Sequence, residues 1–163
     1  MWTRNKKNKI IDEYSKTIGG ISFHASKDLA EALSTPQIRF DQLVLDMISF
    51  CLLLTYQGIK QANLPDNMYK ETLQGIARNL ADIIAEKGKT EEEYSIIMTA
   101  FQDFSQIFAT SDSRELIENT SRGFIEKYSI SKQEDFIAHT HTTMILSNIA
   151  NSLNAKAFVG SLR

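Results

Sequence analysis

TPQIRFDQLVLDMISFCLLLTYQGIKQA, residues 35 to 62, decides the fold class. Thr35 offers a side-chain oxygen to the free amides of a helix start, and the backbone of Pro36 is already set for the first helical position. No further proline follows until Leu64-Pro65-Asp66, so the stretch predicts one helix over 36–62, about 40 Å long at 1.5 Å per residue. The 13 residues from Met47 to Ile59 carry no charge. At about 100° per residue, Arg39, Gln42, Asp46, Ser49, Leu53, Gln57 and Lys60 fall on one narrow line, and nearly everything else from Ile38 to Tyr56 is apolar. Such a helix is expected to be wrapped by neighbours on every side but that line.

Outward from this rod the chain divides at helix caps. Toward the N-terminus, Ile10, Ile11, Tyr14 and Ile18 predict a helix over about 5–18 that stops at Gly19-Gly20, and Ser26 then caps a short helix carrying Leu29, Ala30 and Leu33. Downstream, a helix is expected over about 66–87. Thr90 with Glu93 forms a capping box that opens a helix whose stripe includes Phe101, Phe104 and Phe108. A shorter helix runs to about Tyr128. Ser131 with Glu134 opens the last, to about Ala157, with Ile145, Leu146, Ile149 and Leu153 as its stripe, flanked by Phe136, Ile137 and Met144. The expected fold is all-α: an antiparallel helical bundle of four long helices plus two or three shorter ones around the central helix. With no repeat or linker, one domain is expected over 1–163, with residues 1–9 a basic, flexible arm and 158–163 a loose tail.

Two prolines and seven glycines in 163 residues disfavour an all-β chain. The single cysteine, Cys51, excludes an internal disulfide and points to a reducing, cytoplasmic setting. No export signal is read, because the basic start meets Asp12-Glu13 after only two apolar residues. The 13-residue uncharged run is shorter than the roughly 20 residues of a membrane span, so no membrane is expected. Net charge is −2, but Arg4, Lys6, Lys7 and Lys9 sit in the first nine residues, leaving 14 basic against 20 acidic side chains in the rest. A body of that sign repels phosphate backbones, so no nucleic acid is expected, and it suits a basic protein partner.

Motifs that fix a reaction are missing. His139 and His141 are two residues apart, about 200° around a helix, so they cannot chelate one ion; HExxH is absent and no metal is expected. Neither GxxxxGK[ST] nor GxGxxG occurs, and no cofactor is expected. Cys51, in an apolar run without basic neighbours, reads as inert core. The residues that stand out as partner- or ligand-binding candidates are Arg39, Asp46, Leu53, Gln57, His139 and His141. The polar line of the central helix is expected in water, so that Asp46→Ala changes stability little. The sharper reading has Asp46 paired with an arginine from elsewhere and Leu53 as a contact spot. Three functions remain: a non-enzymatic interaction module of adaptor, inhibitor or toxin-neutralising type, with self-association as a related expectation; a small-molecule bundle with an apolar cavity between the central helix and the Phe101, Phe104 and Phe108 helix; and an enzyme using Asp46, His139 or His141 as acid or base.

Overall fold

The computed structural model describes residues 2–33, 39–86, 91–112, 115–128 and 135–163, and among these every regular element is a helix. They are α1 (Trp2–Leu33), α2 (Phe40–Gln61), α3 (Asp66–Glu86), α4 (Glu91–Thr110), α5 (Leu116–Lys127), α6 (Asp135–Leu153) and α7 (Ala155–Ser161). The expected cap residues Thr35-Pro36, Thr90 and Ser131 lie outside the described residues, but the central helix begins at Phe40 and not at 36: Arg39 is extended (ψ 108°) and stands as its N-cap, without a side-chain capping bond.

The first correction concerns α1. Instead of two helices broken at Gly19-Gly20, it is one helix of 32 residues, longer than α2. Its buried face runs Ile11, Ser15, Ile18, Ser22, Ala25, Leu29 and Leu33, an unbroken helical period that crosses the glycine pair. Packing against α2 and α6 offsets the roughly 1 kcal/mol that each helical glycine costs. Ser15 and Ser26 are buried without penalty because their hydroxyls donate to the carbonyls of Ile11 (2.7 Å) and Ser22 (2.6 Å). Ser26 is therefore an interior residue, not a cap. The basic residues 4–9, expected as a flexible arm, are the first turns of the same helix.

α2 lies against α1, with Tyr14 on Thr55 (2.8 Å), the Ser22 hydroxyl on the Cys51 sulfur (3.7 Å) and Phe23 edge-on to Phe40 (5.5 Å). These partners descend along α2 as they ascend α1, so the two helices run antiparallel. Leu43, Met47, Phe50, Cys51 and Ile59 are fully buried, each apolar side chain contributing roughly 1.5–3 kcal/mol. Leu45 and Ile48 are buried too. By length and composition α2 would suit a membrane span, and 61% of its apolar window is buried inside this fold. α4 covers α2 through Phe108 on Phe50, centroids 6.1 Å apart. α3 packs on α1, and α6 lies between α1 and α5.

Asn63 takes a left-handed backbone (φ 49°) that turns the chain from α2 into α3. Asn154 does the same (φ 44°) between α6 and α7, and its side chain accepts the Ala157 amide. The last helix thus ends at Leu153, not near 157. The expected loose tail folds as α7 and its flank, burying Phe158, Val159 and Leu162, with Phe158 stacked on Tyr14 at 3.7 Å. The α7 backbone comes this close because Gly58 faces Ala155.

Candidate functional site

α6 is apolar on two sides. Ala138, Thr142, Leu146, Ile149 and Leu153 form its buried face. On the opposite side Phe136 is 80% exposed, Ile137 63% and Met144 58%. At about 100° per residue, Phe136, Thr140, Met144, Ile137 and His141 span one arc of about 140°, well away from the buried face. Large exposed hydrophobes contiguous on one helix face mark an interaction surface more often than scattered ones do.

At one edge of this arc His141 and Met144 also line a groove between α1 and α6. The groove holds two adjoining hollows of about 440 Å³ each, which share Asp28, Ile145 and Asn148. One continues past Gly20, Ile21, His24 and Ala25, the other past Glu31, Ala32, His141 and Met144. Small residues on α1 leave the space: nothing lies within 4 Å of where a side chain on Gly20 would begin. The pairing of Thr17 and Gly20 with Ser152, and of Glu31 and Ala32 with His141, shows the two helices antiparallel here. Asp28 and Glu31 on α1 are exposed at the rim, and no lysine or arginine lines either hollow. A third hollow, about 610 Å³ between α1 and α3, mixes charges, with Arg4, Lys7 and Arg78 interleaved with Asp12 and Glu71.

The predicted site residues separate. Arg39 stays exposed at the start of α2, 3.2 Å from Asp41. Gln57 is half-buried. Asp46 is fully buried, contrary to the solvated line expected of it. Its partner is a lysine, not an arginine: Lys127 Nζ lies 2.9 Å from both carboxylate oxygens. Tyr128 Oη and Gln42 Nε2 also donate to the carboxylate, the latter at 3.2 Å. Burial first, then the Asp46 charge, pushes the Tyr128 hydroxyl well above the usual phenol range. The cluster clips the end of α5 to the middle of α2. Leu53, expected as a contact spot, is 3% exposed and belongs to the core, and Ser49 between them is buried. The line fails as a solvent face because Lys127 and Tyr128, at the end of α5, close over Asp46, and Ser49 and Leu53 are buried in the packing around α2.

His139 and His141 diverge. His139 Nδ1 lies 3.1 Å from the Ser121 hydroxyl on α5, and His141 is exposed in the α1–α6 groove. Asp46 is held by Gln42, Lys127 and Tyr128 and bonds to neither histidine. Among the described residues no group of three or more His, Cys, Asp or Glu comes together to hold a metal ion. Cys51 is buried, its thiol pushed up to about 12 by burial, with only partial relief from Ser22. Phe108 packs on Phe50, and the side chains of Phe101 and Phe104 lie outside the described residues.

In the sequence pattern Phe136, Ile137 and Met144 only flank the stripe of the last helix, and their exposure on a face of their own is not anticipated. The signal was present: counted around the helix, these three sit on the far side from Leu146, Ile149 and Leu153. Comparison with protein-family models, with characterised proteins and with solved structures finds no match for this chain.

Proposed function

We propose that this chain is a non-enzymatic protein-interaction module that docks a partner on the outer face of α6. The observation that carries the reading is the exposure of Phe136, Ile137 and Met144 on one side of a helix whose other side is already core. Leaving three large side chains in water forgoes burial of roughly 1.5–3 kcal/mol each, which a bound partner recovers. The dispersal of Asp46, His139 and His141 supports a binding role over catalysis. Two finer expectations go with this reading. The helices form an antiparallel bundle organised on the α1–α2 pair, and the protein works in the reducing cytoplasm, where a lone buried thiol such as Cys51 is at home.

Site-specific photo-crosslinking in the native host tests it. A photoreactive residue at Thr140, between Phe136 and Met144, should give a discrete adduct, and the same residue at exposed Asp82 on α3 should not. The adduct should disappear when Phe136→Asp and Met144→Asp are introduced together. No adduct at Thr140, or the same adduct from both positions, refutes the reading.

A further inference from the structure

We infer that the hollow between α1 and α3 binds a small phosphorylated molecule through Arg4, Lys7 and Arg78. The site is separate from the α6 face and does not depend on what docks there. Four cations stand in the first nine residues, and the helix sorts them. At about 100° per residue Arg4, Lys7, Asn8 and Ile11 share one side of α1, with Lys6 and Lys9 turned away from it. Arg4 and Lys7 accordingly line the hollow of about 610 Å³, and α3 supplies Arg78. The two walls meet at Gly75, where even a Cβ would stand 3.0 Å from Ile11 Cγ2, so α3 rests directly on α1 there.

Charge selects the ligand. Single unpaired cations are ordinary on a surface, but these three, from two helices, line one space, and none has a hydrogen bond or ion pair with any described residue. Two acids line the hollow as well. Asp12 is answered by Lys16 at 2.8 Å, which leaves exposed Glu71 as the one carboxylate opposing three cations. A phosphate monoester brings nearly two negative charges and three acceptor oxygens, more than a carboxylate offers, and the planar guanidinium fork meets those oxygens two at a time. At about 610 Å³ the hollow lies within the roughly 300–1,000 Å³ of small-molecule sites, which leaves room for a polar body against the amides of Asn8, Gln74 and Asn79. A nucleic-acid strand suits it less, since the chain beyond the first nine residues carries more acids than bases and repels a long polyanion.

The probe is inorganic pyrophosphate, titrated by calorimetry into the full chain at neutral pH and low salt. Malonate serves as the dicarboxylate comparison and a DNA strand of about 20 nucleotides as the polymer. Pyrophosphate should bind saturably, about tenfold more tightly than malonate, and raise Tm as it fills the site. Arg4→Gln with Arg78→Gln should weaken it about tenfold. Lys6→Gln with Lys9→Gln removes the same charge from other sides of α1 and should weaken it by under about twofold. Glu71→Gln removes the opposing charge and should tighten it about twofold. All five positions are exposed, so the variants keep the fold. Equal losses in the two double variants would mean a diffuse attraction to the basic start and overturn the site. Malonate binding as tightly as pyrophosphate, or no saturable binding of pyrophosphate, overturns it as well. DNA that binds more tightly than pyrophosphate and displaces it assigns these cations to a nucleic acid and overturns it too.

Discussion

Removing the Asp46 carboxylate should cost the fold about 2–4 kcal/mol. The group has no solvent exposure and is held by Lys127 Nζ at 2.9 Å, by Tyr128 and by Gln42. Hydrogen bonds to a charged group are worth about 1.5–3 kcal/mol each, and Asp46→Ala leaves the half-buried Tyr128 hydroxyl without its acceptor. Two effects trim the total. Lys127, with a third of its side chain exposed, rehydrates when released, so its share is screened, and the mutant no longer has to desolvate a carboxylate. For a chain of this size the loss lowers Tm by roughly 5–15 °C, readable by calorimetry or urea denaturation at neutral pH. Tyr128→Phe alone should cost about 1–2 kcal/mol, and the double variant should fall short of the sum by about 1 kcal/mol, since both changes delete the same contact. An Asp46→Ala loss under about 0.5 kcal/mol, the range of ordinary surface changes, would refute the buried clip.

Other substitutions test the packing. Gly20→Ala meets no atom within 4 Å and should stabilise α1 by roughly 0.5–1 kcal/mol in denaturant melts, whereas Gly58→Ala sets a Cβ 3.0 Å from that of Ala155 and should destabilise by roughly 1–3 kcal/mol. Thr142 is fully buried and its hydroxyl has no partner, so Thr142→Val should stabilise by about 1 kcal/mol, measured the same way. Cys51 should resist thiol reagents in the native state and react only as fast as the protein unfolds, followed by absorbance with and without denaturant. Burial raises Cys51 from 9.0 and Tyr14 from 10.0, each to about 12. Both keep their proton in the folded state while the unfolded chain loses it, so their contribution to stability is intact below about pH 9 and is lost between pH 9 and 12, by at most about 1.4 kcal/mol per pH unit per group, with Tyr128, also raised, adding to the loss above pH 10. Cys51→Ala should remove the part of the fall that begins near pH 9 in pH-dependent urea melts.

Much of the helical layout is legible in the residues, and its failures share a cause. The α2 rod, the turn before Asp66 and the body of α5 follow from apolar period and turn chemistry read locally. The break expected at Gly19-Gly20 does not occur because the buried face of α1 continues across the glycines, with Ser15, Ser22 and Ser26 filling places between Ile11, Ile18, Ala25 and Leu29 that a search for hydrophobic stripes passes over. The same reading sends Asp46 into water, because nothing near it in sequence announces that Lys127 and Tyr128 will arrive from 81 and 82 positions away. Local pattern reports which sides of a helix are polar, whereas burial depends on which distant element covers them. The α6 face illustrates the converse. Its two apolar sides are visible in a count around the helix, yet which one the fold keeps for itself depends on α1 and α5.

In α6 the order of hydrophobic and polar groups runs against folding. Oily side chains stand in water at Phe136, Ile137 and Met144, while the Thr142 and Thr143 hydroxyls are shut away without acceptors. Both departures raise the energy of the same few turns, so this stretch is a frustrated patch in an otherwise consistent molecule. Sequence changes that relieve it, such as polar residues outside or valine within, would make a calmer isolated protein at the expense of whatever that helix was shaped to grip.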